Sequence, residues 1–231
     1  SSGFGLEAAK QLIELKAKVV IVARTESKLQ EAAKEINSPN LLTISADVTK
    51  IDEWKKIVAR TVETFGTIDI LINNAGAGVA IVPLDEMSYE EIQQSIDINL
   101  MSNIYGSKEV AEVMKKNGGG RIVNVSSVCA DHAWPGFAVY SAAKAGLVLF
   151  SRCLCKDYGK YGITASTFIP GAAPTNFRVA AGLPKRESPG FPEVAAFAQG
   201  LVSLVDLPKE ALIEELTYWA AKQVQSDMNP F

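Results

Sequence analysis

The sequence has few of the residues that build metal sites and disulfide frameworks. It contains one histidine and three cysteines among 231 residues, which excludes a zinc site built from His and Cys ligands. The odd number of cysteines and the lack of a signal-peptide pattern in the sequence favour a reducing compartment, and we predict a cytoplasmic location.

An excess of one charge sign and long apolar runs are lacking too. Lys and Arg total 23 and Asp and Glu total 26, a formal net charge of −3, so a nucleic-acid partner held by phosphate contacts is not expected. The apolar stretches are short or interrupted by charge, so no membrane span is predicted. Hydrophobic residues make up 48%, which is typical of a globular chain, and the length suits one α/β domain.

Short apolar runs alternate with helical patterns along the chain. Residues 18–23 form a continuous β-branched run typical of a strand buried on both faces. The alternation predicts a doubly wound, Rossmann-like parallel sheet in three α/β/α layers, in a single domain over residues 1–231. Segment 171–208 is rich in Gly, Pro and aromatics, and predicts a substrate-binding lid. Further strands are predicted at 41–45, 68–72, 121–125 and 163–169, and helices at 25–36, 51–65, 140–158 and 209–224, with a long or bent helical region at 89–116.

Ligands of doubly wound sheets bind beyond the carboxyl ends of the strands. Polar or glycine-rich residues follow each predicted strand there, and they are Arg24, Asp47 and Val48, segment 73–76, Ser126 and Ser127, and Pro170 and Gly171.

The most specific of these signals is Ser127 followed by Tyr140 and Lys144. Tyr140 and Lys144 are four residues apart, so they share one face of a helix. A neighbouring cation lowers the pKa of a phenol, so such a pair is a tunable acid/base unit, and Ser127 can hydrogen-bond a substrate oxygen. This spacing is common by chance, and an ordinary exposed Tyr/Lys face is the alternative.

Taken together, residues 1 to about 176 resemble the short-chain dehydrogenase/reductase family. Segment 1–5 resembles the tail of its T-G-x-x-x-G-x-G turn, 73–76 its N-N-A-G motif, and Asn99 its helix asparagine. Ser127 lies 13 residues before Tyr140, as in the family, which selects it over Ser126. Pro170, Gly171 and Thr175 match its P-G-x-x-x-T segment.

The resemblance implies an oxidoreductase that transfers a hydride between a nicotinamide and a carbonyl or secondary alcohol. Tyr140 would exchange the proton with the substrate oxygen, and Ser127 would position that oxygen. Lys144 would lower the pKa of Tyr140 and bind the nicotinamide ribose, while Asn99 would hold a proton-relay water. A non-catalytic cofactor-binding or scaffold protein of the same fold is the alternative hypothesis.

The implied cofactor is NADP rather than NAD. Arg24 follows the strand where a NAD-binding carboxylate would stand, and a guanidinium can bind a 2′-phosphate. A solvated turn residue is the alternative for Arg24. The residues expected at the cofactor are Ser2, Gly3, Phe4, Gly5, Arg24, Asp47, Val48, Asn74, Ala75, Gly76, Tyr140, Lys144, Pro170, Gly171 and Thr175.

Three further expectations concern strand order, assembly and substrate. A glycine turn that opens a helix normally follows a buried strand, and the sequence shows none before residue 3, so we expect a central strand to be missing and two internal edges to be open. The resemblance implies a homodimer or homotetramer, with Val148, Leu149 and Cys153 outermost on their helix. A lipophilic small-molecule substrate would enter an apolar pocket, for which the candidates are Trp134, Phe137, Val139, Phe177, Leu183, Phe191 and Phe197.

Overall fold

The computed structural model describes residues 2–175, 177–183 and 192–225. Phe191, one of the residues predicted to line the substrate pocket, lies outside them. The helices are α1 Gly3–Glu14, α2 Glu26–Ile36, α3 Ile51–Phe65, α4 Tyr89–Ile96, α5 Ser102–Lys116, α6 Ala138–Tyr158, α7 Phe177–Ala180, α8 Val194–Ser203 and α9 Ala221–Gln225. The strands are β1 Val19–Ala23, β2 Leu41–Ser45, β3 Ile70–Asn73, β4 Gly120–Val125, β5 Ile163–Pro170 and β6 Glu215–Tyr218.

The strands are all parallel and lie between two layers of helices, which confirms the predicted Rossmann-like fold. On one face α1 and α8 pack over β4 and β5 around the fully buried Phe168 and Phe197. On the other face α3, α5 and α6 cover the sheet, with Met114 and Ile122 fully buried between them. Continuous apolar strands suit this position because each face of the sheet meets a helix layer.

The long helical region at 89–116 is interrupted at a wide, π-type turn, Asp97–Met101, which separates α4 from α5. Extra-wide turns of this kind are rare inside helices and are frequent at functional sites. Here the turn carries the fully buried Asn99.

The prediction of a helix over residues 209–224 is wrong. Residues 209–224 do not form a helix: they contain β6, which pairs with β5, and the start of α9. The apolar residues of this segment have helical spacing, which favoured a helix. A strand as short as β6 shows no alternation of apolar and polar residues that would have indicated it.

The predicted lid at 171–208 also divides differently. Phe177 lies over Tyr140, with ring centroids 5.3 Å apart. Helix α8, by contrast, belongs to the core, because Phe197, Ala198 and Leu201 are fully buried. Phe197 therefore packs in the core and does not line the predicted substrate pocket.

The sheet is split between β1 and β3. Its strands form a two-stranded unit, β1–β2, and a four-stranded unit in the order β3–β4–β5–β6. A doubly wound sheet would place one strand between them. Within the described residues no strand lies between β1 and β3.

Backbone hydrogen bonds show which groups face the opening. The N–H of Val19 donates to the Asn40 carbonyl at 2.8 Å, and the Asp69 carbonyl accepts from Arg121 at 2.9 Å. Alternate residues of a parallel strand use opposite edges. The peptide groups of Val20, Val22 and of Ile70 and Ile72 therefore face the opening, which a large cavity occupies.

Among the described residues, one helical stretch is long and apolar enough to cross a membrane, by length and composition only. It is Ala138–Tyr161, which consists of α6 and the short helical turn that follows it. The prediction from apolar runs overlooked this stretch. In the fold α6 packs against β5 and carries the buried residues Leu147 and Lys144 toward the sheet, as an inner helix of an α/β domain does.

The outward face of α6 differs in part from the prediction. Val148 is buried among Val128, Ile169 and their neighbours, because its position on the helix turns it toward β5. Leu149 is 60% exposed and Cys153 is also exposed, as expected for outer positions.

We expect the opening to accept one apolar strand. Adding a five-residue copy of β1 and three glycines ahead of residue 1 should raise the free energy of unfolding by at least about 1 kcal/mol, which is a rise of about 2–4 °C in the unfolding midpoint for a chain of this length. The reason is that the added strand would pair with both open edges and fill the apolar space between them. Thermal unfolding followed by circular dichroism measures the change.

The matched control is the same extension with proline at its second and fourth positions, which removes backbone donors but keeps most of its apolar surface. An equal rise with the proline version would contradict strand pairing.

Candidate active site

The carboxyl ends of the strands meet at one edge of the sheet, beside a cavity of about 1030 Å³. This cavity also runs through the opening between β1 and β3. It brings together almost all of the residues selected from the sequence, and only Asn99 and Asp47 are not among those that line it. The predicted site residues that line it are Ser2, Gly3, Phe4, Gly5, Arg24, Val48, Asn74, Ala75, Gly76, Ser127, Tyr140, Lys144, Pro170, Gly171 and Thr175.

Helix α6 is fixed to the end of β4 through Lys144. The Lys144 ammonium donates to the Val125 carbonyl at 2.8 Å, and the Ser126 hydroxyl donates to the Lys144 carbonyl at 2.8 Å. Both side chains are buried. Ser126 is thereby committed to the helix, which agrees with the selection of Ser127 as the residue that faces the site.

Ser127 and Tyr140 are in contact in the cavity. Tyr140 lies in the first turn of α6, and its side chain is close enough to the Ser127 hydroxyl for that group to act on the pKa of the phenol. The Ser127 oxygen also accepts the backbone N–H of Cys129 at 3.2 Å. The serine is therefore held by the short helical turn that follows β4, while the tyrosine comes from the helix packed beside it.

Burial dominates the ionisation of this pair. It raises the pKa of Tyr140 well above its ordinary value, the neighbouring Cys129 adds to the effect, and the Ser127 hydrogen bond only partly opposes it. Burial also lowers the pKa of Lys144 to about 8. That Lys144 lowers the pKa of Tyr140 stays a prediction: the ammonium donates to the Val125 carbonyl and lies 5.8 Å from the centroid of the phenol ring.

A raised phenol pKa keeps Tyr140 protonated at neutral pH. The structure thus provides an acid that holds its proton until a substrate oxygen develops negative charge. Lys144 is close to half-ionised in the mildly alkaline range and is the more readily titrated of the two.

Asn99 clamps the loop that follows β3. Its amide nitrogen donates to the Ala77 carbonyl at 2.8 Å and to the Ser95 carbonyl at 3.0 Å, and its oxygen accepts the Ala77 N–H at 3.1 Å. Both amide protons are used. Holding a relay water stays a prediction for Asn99, and its amide donors are not free to serve it.

The N-terminal turn of α1 lies against two other predicted motifs. Gly3 has φ of +57°, a left-handed conformation that favours glycine, and a side chain there would approach Thr175. A Cβ on Gly5 would stand 2.7 Å from the Asn74 amide nitrogen. The glycines thus allow the helix end, which carries no acidic residue in its first turn, to approach the cavity as an anion site requires.

Phe4 lines the cavity, and its place at a cofactor stays a prediction. Its ring packs in the apolar core, stacked on Phe197 at 5.5 Å and edge-on to Phe168 at 6.3 Å. The aromatic ring anchors the start of α1, so only the Phe4 backbone remains suited to a cofactor.

Arg24 and Val48 occupy the adenosine-side end suggested by the sequence. Arg24 is exposed at the end of β1, and Val48 lines the cavity beyond β2. The Asp47 carboxylate instead accepts the N–H and hydroxyl of Thr49 at 3.0 and 2.8 Å. Burial opposes its ionisation, but these hydrogen bonds and the charge of Arg24 together hold the pKa of Asp47 below its ordinary value.

The segment after β5 closes the other side of the cavity. Gly171 donates its N–H to the Tyr218 carbonyl at 2.8 Å, and the Ala172 N–H donates to the Gln223 side chain at 2.9 Å. Phe177 then reaches the loop at Gly78, where a Cβ would stand 2.9 Å from its ring. The contacts of Gly78 and Gln223 could not be predicted from the sequence, because each contact joins two segments that are far apart in the chain.

A buried network of amide side chains supports the site, and it was not predicted from the sequence. Asn73 at the end of β3 donates to the Asn124 side chain at 2.8 Å and to the Ser107 hydroxyl at 3.1 Å. Asn124 donates in turn to Ser151 of α6 at 2.8 Å. A polar residue inside an apolar strand is the sequence signal that could have indicated this network, because a buried amide needs hydrogen-bond partners inside the protein.

Comparison with known proteins agrees with this geometry. The family model described as short chain dehydrogenase matches residues 1–184. An uncharacterized oxidoreductase of Thermotoga maritima is 41% identical over 175 residues, which are 74% of this chain and 67% of the relative. A 3-oxoacyl-[acyl-carrier-protein] reductase of Synechocystis is 34% identical over 179 residues, covering 76% of this chain and 72% of that protein.

Solved structures share the fold at lower identity. An alcohol dehydrogenase of the archaeon Thermococcus sibiricus, complexed with 5-hydroxy-NADP, superposes with a TM-score of 0.86 at 23% identity, over 96% of this chain and 94% of that one. A serine dehydrogenase complexed with NADP+ gives a TM-score of 0.87 at 24% identity, over 94% and 90%. With the family match over most of its length, the chain belongs to the short-chain dehydrogenases and is an oxidoreductase of that type.

Proposed function

We propose that the protein is an NADP-dependent oxidoreductase that interconverts a carbonyl and a secondary alcohol. The observation that carries the proposal is the convergence of Ser127, Tyr140 and Lys144 on one cavity with the glycine-opened end of α1. A polar acid/base cluster and a helix N-terminus suited to phosphate are the two parts that such a reaction needs.

The cofactor would supply or accept the hydride at the substrate carbon. In reduction, Tyr140 would donate its proton to the substrate oxygen, since burial keeps the phenol protonated. Ser127 would donate a second hydrogen bond to the same oxygen and orient it. In oxidation, the Tyr140 phenolate would take the hydroxyl proton and become the neutral phenol, and the charge of the buried Lys144 would stabilise that phenolate beforehand.

The residues present fit a dinucleotide. Gly3 and Gly5 would admit the pyrophosphate at the end of α1, while Lys144 would bind the nicotinamide ribose. Pro170, Gly171 and Thr175 would lie at the nicotinamide. Arg24 would bind the 2′-phosphate of NADP, and two solved structures of the same fold are complexed with 5-hydroxy-NADP and NADP+.

We further propose a lipophilic carbonyl substrate. The residues packed around Tyr140 on the substrate side are apolar, and Cys129, Phe137 and Phe177 are among them. Hydrophobic lining with a few polar groups is the usual composition of a small-molecule pocket. The Synechocystis relative, a 3-oxoacyl-[acyl-carrier-protein] reductase, is in keeping with carbonyl reduction.

Self-association and location are part of the same proposal. We propose a homodimer or homotetramer that associates through the face of α6 on which Leu149 and Cys153 are exposed, and a cytoplasmic location. A non-catalytic scaffold that binds the cofactor is the second candidate, because the cavity has room for a dinucleotide whether or not Ser127 and Tyr140 act on a substrate.

Replacing Tyr140 by phenylalanine separates the two candidates. Tyr140→Phe keeps the ring and its packing on Phe177 but removes the proposed proton donor, so kcat for NADPH-dependent reduction of a carbonyl should fall by about 10²–10⁴-fold. The dissociation constant for NADPH should change by less than about twofold, because the phenol makes no phosphate contact. Steady-state absorbance and fluorescence titration measure the two quantities.

Tyr89→Phe is the matched control, since Tyr89 is 87% exposed and far from the site. Near-normal turnover in Tyr140→Phe would overturn the acid/base assignment. An unaltered protein that binds NADPH but reduces no carbonyl would favour the scaffold.

Cofactor preference should depend on Arg24. The loss of a charge-assisted hydrogen bond costs about 1.5–3 kcal/mol, so Arg24→Ala should weaken NADPH binding by about tenfold or more while NADH binding stays nearly unchanged. Lys34→Ala, on the exposed side of α2, removes the same charge and serves as the control. If the unaltered protein bound NADH as tightly as NADPH, the role given to Arg24 would be wrong.

The lowered pKa of Lys144 predicts a pH-dependent stability. Between about pH 8 and 10.5 the unfolded chain holds a proton on Lys144 that the folded chain has released, so this residue's contribution to the unfolding free energy rises with pH. The stability of the unaltered protein relative to Lys144→Met should therefore increase, by on the order of 1–2 kcal/mol, between about pH 7 and 9.5. Urea unfolding at both pH values measures it.

Tyr140 and Cys129 face Lys144, and both have raised pKa values, so neither ionises appreciably over this interval. Lys34→Met, which removes an exposed lysine, is the comparison variant for the stability measurement at both pH values. A stability difference that stays constant with pH would show that Lys144 titrates normally.

A further inference from the structure

Gln223 is a buried polar residue to which the proposed reaction gives no part. It lies in α9, after the last strand, and is 1% exposed. Its side-chain oxygen accepts the Ala172 N–H at 2.9 Å, from a position 51 residues further along the chain. Ala172 belongs to the turn that follows β5, and Pro170, Gly171 and Ala172 line the same cavity as Tyr140. A residue that is not among those lining the cavity therefore holds part of its wall.

This hydrogen bond begins where the pairing of β5 with β6 ends. The last residue of β6, Tyr218, accepts the Gly171 N–H at 2.8 Å, so Ala172 is the next residue whose N–H needs a partner. Neighbouring N–H groups of a regular strand face opposite edges, whereas those of Gly171 and Ala172 both bond to segment 218–223. The chain leaves the strand at this point, and Gln223 sets the direction of the Ala172 peptide.

The lack of a side chain at Gly171 permits this contact. A Cβ there would stand 2.6 Å from the Gln223 side-chain oxygen and 3.0 Å from the Trp219 ring. The first distance is shorter than real Cβ contacts, so alanine at this position would displace the amide oxygen or shift the turn. Glycine at position 171 is therefore explained by the close approach of Gln223 to the backbone.

Gln223 is itself held in place, as a residue that orients another must be. Its backbone N–H donates to the carbonyl of Ala220 at 2.8 Å, and Ala220 is fully buried. The Trp219 ring meets His132 edge-on at 5.5 Å, and His132 lies between β4 and α6, in the loop that follows Ser127. The segment that supports the turn after β5 is thus also in contact with the loop after β4.

The hydrogen bonds of the turn leave it acceptors rather than donors for a ligand. Pro170 has no N–H, and those of Gly171 and Ala172 are taken by Tyr218 and Gln223. Carbonyl oxygens are the remaining backbone groups, and they suit the amide NH₂ group of a nicotinamide. Without the Gln223 oxygen the Ala172 N–H would lose its partner, and the peptide would have to reorient to find another.

We propose that Gln223 is a positioning residue for the nicotinamide half of the cofactor: its side-chain oxygen fixes the Ala172 peptide, and thereby the turn 170–172 along which the nicotinamide would lie. The inference deepens the proposed function and rests on it for its effect on cofactor binding. The hydrogen bond itself exists whether or not a cofactor binds, so it can be tested separately.

Hydrogen exchange tests the bond in the cofactor-free protein. Gln223→Met keeps the length of the side chain but removes the acceptor, so the Ala172 amide should exchange at least about tenfold faster than in the unaltered protein. The Ser126 amide, which donates to the Phe168 carbonyl at 2.7 Å within the sheet, reports global opening and should keep its exchange rate. An unchanged rate at Ala172, or an equal acceleration of both amides, would overturn the proposal.

Cofactor binding provides the second measurement, by isothermal titration calorimetry. Gln223→Met should weaken NADPH binding about fivefold, while the binding of adenosine 2′,5′-bisphosphate should change by less than about twofold. That probe carries the adenosine half of NADP and no nicotinamide. Gln223→Glu retains an oxygen acceptor and should bring the NADPH dissociation constant back to within about twofold of the unaltered protein. Gln30→Met, the same substitution at an exposed position of α2, is the matched control.

Failure of this inference and failure of the proposed function give different results. An unaltered protein that does not bind NADPH would contradict the proposed function, and with it the nicotinamide role of Gln223. Equal weakening of NADPH and of the bisphosphate by Gln223→Met would indicate a general loss of structure and would overturn the positioning role alone. A loss of NADPH binding that Gln223→Glu does not recover would overturn it too, because the role depends on the acceptor oxygen.

Discussion

The catalytic end of the molecule depends on how α6 is fastened to β4. Lys144 donates to the Val125 carbonyl, and the Ser126 hydroxyl donates back to the Lys144 carbonyl, both at 2.8 Å. These bonds set the height of the helix relative to the strand end. Because Tyr140 is one turn before Lys144, the same bonds place the phenol over Ser127. A site carried by a helix and a strand is positioned more accurately than one carried by loops.

The buried amides extend this support across the sheet. Asn73, Asn124 and Ser151 form a chain of hydrogen bonds from β3 through β4 to α6. Each donor in the chain has an acceptor, so burying these groups does not leave them unsatisfied. Asn99 stabilises the loop after β3 in a similar way, because its side chain hydrogen-bonds both the N–H and the carbonyl of Ala77. The loop after β3 and the helix after β4 are thereby kept in register.

Much of this arrangement could be predicted from the sequence. Apolar β-branched runs located the first five strands, and Gly66 marked the end of α3, where it has φ of +86°. Ser127, Tyr140 and Lys144 could be selected because their spacing is set by a strand end and one helical turn. Strand β6 could not, since its residues pair only with β5 and show no alternation of their own.

The electrostatics of the site were harder to predict than its membership. Sequence spacing shows that Lys144 and Tyr140 share a helix face, but it does not show how much water reaches them. The shifts of their pKa values are caused mainly by burial, and the Lys144 ammonium is directed by its hydrogen bond to the Val125 carbonyl. The packing of the Phe4 ring on Phe197 could not be predicted for a related reason, because α8 is distant from Phe4 in the sequence.

Within the described residues, strands β1 and β2 are not hydrogen-bonded to the four-stranded unit. Proteins open locally in contiguous units, and units joined by fewer interactions open at lower free energy. Strands β1 and β2 meet the rest of the fold through helix packing, so we expect their amides to exchange with solvent faster than those of β4 and β5. Arg24 and Val48 lie on this less stable unit. A ligand bound there would stabilise its closed form by mass action, so its apparent affinity contains the free energy of ordering that unit.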